Sequence, residues 1–284
     1  MKEAVTPVIA RIFGRPEQQA DTPPVKQGVR CQGAFIKRRK ELLSTLPASE
    51  VRTIIESGSA LGRRWLSAIP FNAATRLSDT EVSAALHYRT LCSGESPHCA
   101  HCAKENFPGH DEVCESRSNW RLARHEMVKK LLMRHIGTAS GTKVSPEPKV
   151  PGTHLRTDFR VTGSASVSGA ASEFDLTFVS LHSSDSGAAY RRASREMGDW
   201  TSAQERGSLE VAAAMEAAVI EKKKKYSART ATPFRALVLT TGGAIDEAAM
   251  KCFDHWRPLV RSWSFMMLCI SMTLVRSRAK HFTF

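Results

Sequence analysis

No run in this 284-residue chain approaches the ~18 consecutive apolar residues that a membrane-spanning helix requires. The nearest, residues 265–275, is broken by Ser271 and Thr273 and reads as a core helix. A secretory leader is missing too. The N-terminal residues carry only a weak apolar patch with no small-residue cleavage site behind it, so an intracellular protein with no membrane partner is expected. Acidic residues are in short supply: Asp and Glu number 28 against 41 Lys and Arg, a net charge of +13. That imbalance points to a polyanionic partner and away from an interaction domain that ignores nucleic acid. An even complement of cysteines is also lacking, and seven in a chain without a leader argue against a disulfide framework.

What is present begins with a hydrophobic share of 42%, enough for a buried core in one large domain or two modest ones. Residues 1–48 hold Pro, Gln and a basic cluster, Lys37, Arg38, Arg39 and Lys40, and look like a tail or linker entering a helix. The cluster suits nuclear import or nucleic-acid contact as well as a solvated helix face. Residues 49–68 read as a helix interrupted at Gly58 and Gly62. Ser78-Asp-Thr-Glu81 has the spacing of a capping box opening a helix to about Leu91. Trp120, Ala123, Met127, Val128, Leu131 and Leu132 then recur at helical spacing up to Gly137, and a Pro/Gly-rich connector follows. Alternation over residues 154–161, a small-residue loop and the apolar stretch 174–181 predict a β-hairpin. Residues 182–206 are polar and read as irregular. Residues 208 to about 226, rich in Ala, Glu, Met and Lys, predict a helix. Residues 234–241 read as a third strand, Gly242-Gly243 as a turn, and two helices complete the pattern. No internal repeat is found.

Four cysteines, Cys92, Cys99, Cys102 and Cys114, crowd into one short region. In Cys99-x2-Cys102-x7-His110-x3-Cys114, three thiolates and one imidazole supply the four ligands of tetrahedral zinc, with Phe107-Pro-Gly109 as the turn between the halves. Cys92, His98 and His101 lie close enough to be alternative ligands. Because protein fills every position, the zinc is expected to be structural rather than catalytic.

Asp158 and Asp175 fall on the two arms of the predicted hairpin, where residues of matching parity point to one face and converge on a hard cation such as Mg²⁺. Asp175 lies between Phe174 and Leu176, a costly place for an idle charge. On the helix 208–226 the apolar stripe of Val211 and Met215 continues to within about 20° of Lys222, while Lys224 points the other way. Lys222 and Lys225 are therefore expected to face inward. Acids on adjacent strands with an inward lysine are the working parts of metal-dependent nucleases. The lysine usually sits two residues after the second acid, where this chain has Thr177.

The ordered set is a Cys-Cys-His-Cys knuckle, Arg124-His125 on a helix, an acid, an Asp in an apolar strand and a Lys-rich segment ending in Lys225-Tyr226. Over residues 60–284 this set resembles the C-terminal region of non-LTR retrotransposon polyproteins that carry a restriction-enzyme-like endonuclease, in particular a fungal branch. The resemblance implies an α+β or α/β, restriction-endonuclease-like core, a mixed sheet flanked by helices, over residues 118–284. It would be preceded by a basic tail (1–48), a helical linker (49–95) and a zinc knuckle (96–117). It also implies that Asp158 and Asp175 are the catalytic Mg²⁺ ligands, that Lys222 or Lys225 with Tyr226 forms the lysine-tyrosine element, and that Glu147 is an accessory acid. Arg124, His125 and residues 37–40 would contact nucleic acid, the target being nuclear DNA and a further partner the element RNA. The implied product is a nick with a 3′-hydroxyl that primes reverse transcription by a separate domain. Thr157 stands where the family often has proline, and the loop between the acids is longer than usual. The chain has no Asp-Asp dipeptide, the hallmark of a reverse-transcriptase palm, so it reads as a C-terminal piece that does not polymerise. The competing expectation is an inactive, transposon-derived zinc-knuckle protein that binds nucleic acid without cutting it.

Overall fold

The computed structural model describes residues 27–92, 98–99, 101–105, 109–196 and 202–279. Residues 1–26 of the expected tail, and Phe107 and Pro108 of the expected knuckle turn, lie outside them. The chain divides into two units, Met1–Leu42 and Leu43–Phe284. The first contains most of helix α1 (Gln27–Thr45), on which Lys37, Arg38, Arg39 and Lys40 lie.

In the second unit a four-stranded open sheet, in the order β1-β2-β3-β4, is flanked by helices on both faces. Strands β1 (Thr142–Pro146), β2 (Phe159–Gly163) and β3 (Ala171–Val179) run antiparallel in succession, and β4 (Phe234–Thr240) joins β3 in parallel. The sheet is therefore mixed. A parallel pair needs a long crossover, and here two helices supply it, α6 (Ser184–Glu196) and α7 (Ala203–Tyr226). The alternation of side chains along the strands decides what each face holds. Phe159, Val161, Phe174, Leu176, Leu237 and Leu239 point to one face and pack with Val128, Leu132 and Ile136 of α5 (Ser118–Ile136), Phe253 and Trp256 of α8 (Glu247–Trp256), and Met266 and Ile270 of α9 (Trp263–Ala279). Phe234, Ala236 and Val238 point the other way, onto Val211, Ala214, Met215, Val219 and Tyr226 of α7.

Phe159 and Phe174 face each other in register and stack at 5.1 Å between ring centroids, and the edge of Trp256 closes on Phe174. The Trp256 indole N–H, buried with the ring, donates to Ala165 O at 2.8 Å, so the largest core side chain leaves no polar atom unpaired. Helix α2 (Ala48–Ser57) ends before Gly58, and a short 3₁₀ turn (Arg64–Ser67) takes the place of the continuous helix expected over 49–68. The capping box is present as read: Ser78 and Glu81 each bond the other's backbone N–H at the start of α3 (Asp79–Thr90).

Candidate active site and metal centre

The four expected zinc ligands are brought together by local structure. Cys99 and Cys102 flank a tight turn in which Ala103 N–H returns to Cys99 O at 2.9 Å and Ala103 adopts φ 56°, while His110 and Cys114 bracket the single helical turn α4 (His110–Val113). Gly109, at φ 88°, opens that turn against the His182 imidazole, leaving no space for a side chain. The four ligand atoms lie within 4.8 Å of one another. Cys99 Sγ and Cys114 Sγ are 3.9 Å apart, close to the ~3.8 Å that Zn–S bonds of about 2.3 Å give in a tetrahedron, and Cys102 Sγ is 3.2 Å from His110 Nε2. The donor set and its spacing fit zinc. Cys92 is exposed, and neither it nor His98 or His101 belongs to the group.

Sequence reading missed the carboxylate that fastens this knuckle to the sheet. Glu112, between ligands His110 and Cys114, is buried; its Oε1 receives Arg278 Nη2 at 2.7 Å and its Oε2 receives Ser180 Oγ at 2.9 Å and Thr241 Oγ1 at 2.5 Å. Ser180 and Thr241 are the first residues beyond β3 and β4, so one carboxylate ties the zinc turn to both parallel strands and to the last helix. Burial alone pushes the Glu112 carboxyl up, but the charges of Arg278, His182 and Arg124 and the Thr241 hydrogen bond together outweigh it and hold the group down at about 2. Glu56 moves the opposite way, to about 7, because burial and the nearby Glu112 both disfavour its charge. Its carboxyl accepts Tyr88 O–H and, at 2.9 Å, Gly242 N–H. No motif marks these groups, which come from positions far apart in the chain.

The acids are positioned by strand register. Asp158 immediately precedes β2, outside the strand, yet the ladder continues through it: Asp158 N–H donates to Phe174 O at 2.9 Å, and Glu147 N–H to Asp158 O at 2.9 Å. Asp175 points to the α7 side of the sheet, and the Asp158 carboxylate lies beside Leu176, the residue that follows Asp175. Asp158 Oδ2 then takes over where β2 stops, accepting the Leu176 N–H at 2.6 Å in place of a strand carbonyl. His125 Nε2 lies 3.0 Å from the same oxygen and 3.1 Å from Leu176 O; because a carbonyl only accepts, Nε2 carries the proton. His125 is thus directed to an acid rather than outward. Burial pulls its pKa down, yet the hydrogen bond and charge of Asp158 raise it overall.

Lys222 reaches Asp175: Nζ to Oδ2 is 2.8 Å. Thr177, in the slot where the resemblance leads one to expect lysine, donates instead to Asp175 Oδ2 at 3.3 Å. Lys225 is exposed, its ammonium 5.0 Å from the Tyr226 ring centre. Tyr226 is buried and donates to Arg156 O at 3.1 Å; burial first, then the charge and hydrogen bonding of Asp175, and the charge of Asp158, push its phenol well up. Both acids therefore act on one phenol. Glu147, bonded through its backbone N–H to Asp158 O, has its carboxylate paired with Lys129 at 3.0 Å and Arg156 at 3.5 Å. Arg124 is buried, with its guanidinium 5.2 Å from the Phe178 ring centre. Glu173, wholly buried two residues before Asp175, is neutralised by Arg160 (2.5 Å) and accepts from Thr157 (3.0 Å) and Thr232 (3.1 Å). Thr157, where the resemblance leads one to expect proline, thus supplies a hydroxyl to a buried charge.

A scan against protein-family models finds no match to this chain, and a search of curated proteins finds none either. Among the described residues no helix is long and apolar enough to cross a membrane.

Proposed function

We propose that the protein is a metal-dependent DNA endonuclease with a restriction-endonuclease-like core, of the kind carried by non-LTR retrotransposon polyproteins, acting on nuclear DNA by nicking. The observation that carries this reading is the convergence of Lys222 on Asp175 at 2.8 Å, with the Asp158 carboxylate held 2.6 Å from the backbone N–H of Leu176, the next residue of the strand. The donor set suits Mg²⁺, which needs only one or two carboxylates because waters and substrate phosphate complete its shell. The hydrogen bonds to Asp158 converge on Oδ2, leaving Oδ1 as the ligand atom. Bound between the acids, Mg²⁺ would supply positive charge at the scissile phosphate and lower the pKa of a coordinated water.

The residues of the chain do the rest. Leu176 N–H and His125 Nε2–H hold the Asp158 carboxylate in one orientation. Lys222 faces the charge that develops on the phosphoryl oxygens and stabilises it, an effect worth about 10²–10³ in rate when such a donor is removed. Tyr226, anchored on Arg156 O, fixes the end of α7 that presents Lys222. Asp158→Asn should abolish Mg²⁺-dependent nicking of supercoiled plasmid while leaving duplex affinity and melting temperature unchanged; nicking that survives the substitution refutes the assignment.

One observation favours a second reading, a nucleic-acid-binding protein that does not cut. Among the described residues the only group of three or more metal-ligating side chains is the knuckle, and Lys222 already neutralises Asp175. Under that reading wild-type protein binds plasmid and never nicks it at any Mg²⁺ concentration.

A further inference from the structure

Helix α6 carries a basic face that neither the knuckle nor the acid cluster uses. Arg191, Arg192 and Arg195 follow Ala188 at three, four and seven residues, and so lie on one side of the helix. The other side is committed to packing: Ala189, Tyr190 and Ala193 are buried, Tyr190 O–H donates to Leu181 O at 2.9 Å, and the Arg52 guanidinium lies 4.1 Å from the Tyr190 ring centre. The helix is fixed from behind while its arginines face out. They line an open hollow of about 310 Å³ together with Ala188.

All three arginines are exposed, and none has an ion-pair partner among the described residues. Arg52, Arg160, Arg276 and Arg278 each meet a carboxylate. Like charges three and four residues apart repel along a helix, and an anion between them reverses the sign of that interaction. A hollow of this size is large enough for a ligand, but its walls are charged where small-molecule sites are mostly apolar. Planar guanidinium forks match phosphate oxygens in pairs.

We propose that this face binds the phosphodiester backbone of a nucleic acid, at a site distinct from the one where Asp158 and Asp175 lie. The proposal rests on the endonuclease reading only in taking the polyanion to be nucleic acid, which the net charge of +13 favours; it does not require that the acids cut. Phosphate contacts fix orientation without reading bases, so the face is indifferent to sequence.

The test measures the affinity of a fluorescent DNA duplex against salt concentration for the full, zinc-loaded chain, carrying Asp158→Asn so that the probe survives. If each guanidinium neutralises one phosphate, R191Q/R192Q/R195Q lowers the slope of log affinity against log salt by about 2.7 and weakens binding at least tenfold at low salt. The corresponding triple lysine variant retains most of the slope. An unchanged slope and affinity in the glutamine variant, at an unchanged melting temperature, overturns the proposal. So does wild-type protein whose Arg191, Arg192 and Arg195 are protected from chemical modification by inorganic phosphate but not by duplex, which makes the hollow a free-phosphate site. A wild-type protein that never nicks plasmid but shows the slope change removes the nuclease reading and keeps this one; nicking with no slope change does the reverse.

Discussion

The knuckle and the acid cluster are two polar sites built in opposite ways. The knuckle draws its ligands from residues 99–114, closes them by local turns and offers a metal four protein ligands. The acid cluster gathers His125, Asp158, Asp175, Lys222 and Tyr226 from a helix, a strand entrance, a central strand and a crossover helix. The first satisfies its own chemistry within one loop and uses a carboxylate of that same loop, Glu112, to attach it to the sheet. The second is assembled entirely by the fold, and the proposed function gives its acids a cation and a substrate to hold. On the proposed reading the closed site serves stability and the open one chemistry, so damage to each should register in a different measurement.

The largest effect should come from the metal of the knuckle. Structural zinc contributes on the order of 10–16 kcal/mol in isolated fingers. Removing zinc with a chelator, or substituting Cys102→Ser, is therefore expected to lower the melting temperature of the whole Leu43–Phe284 unit, followed by circular dichroism, because Glu112 carries the loss into β3, β4 and α9. A knuckle that melts alone while the sheet persists breaks the proposed attachment. Next in size is the attachment itself. Glu112→Ala leaves Arg278 buried without its partner and should cost about 3–5 kcal/mol in urea unfolding, much of it recovered by the double substitution with Arg278→Met.

Acid-base behaviour separates the two carboxylates beside that attachment. Glu112 has its folded pKa depressed to about 2, so its contribution is present above the ordinary carboxylate range and lost as pH falls towards about 2. Glu56 has its folded pKa raised from 4.5 to about 7. Its contribution is therefore full below pH ~4.5 and lost as pH rises through about 7. Glu56→Gln is expected to flatten the stability profile between pH 5 and 8, measured by urea midpoint; a profile as steep as that of wild type contradicts the assignment.

The acid cluster should behave otherwise. Lys222→Met is expected to cut the nicking rate about 10²–10³-fold with a melting temperature within a few degrees of wild type. The smallest effect belongs to Lys225→Ala, which removes an exposed ammonium and should change stability by less than about 0.5 kcal/mol and nicking by less than a few-fold. Equal losses at the two lysines would erase the distinction between them.

The same contrast explains what the sequence disclosed. Zinc ligands within one short segment are legible because their spacing is their geometry. The inward side of α7 was readable from the 3.6-residue period that aligns Lys222 with Val211 and Met215, whereas Lys225, one turn nearer the end of the helix, stays in solvent. Strand β1 was hidden in a segment that looked like a Pro/Gly-rich connector, although Pro151-Gly152 turns the chain there and Lys149 bridges Arg156 on the way from β1 to β2. Helix α6 was obscured by Ser, Gly and Asp in its first turns, which local propensity disfavours and packing of Tyr190 onto α7 overrides. Glu112 and Glu173 were invisible as buried charges, since Arg278 and Arg160, which neutralise them, are named by no pattern of spacing.

The claim that Asp158 and Asp175 form one divalent-cation site is tested most directly by electron paramagnetic titration of the zinc-loaded protein with Mn²⁺ in the absence of DNA. The account predicts one Mn²⁺ site in wild type that Asp158→Asn and Asp175→Asn each remove while zinc content stays at one per chain. Uptake of Mn²⁺ by both variants equal to that of wild type would contradict it.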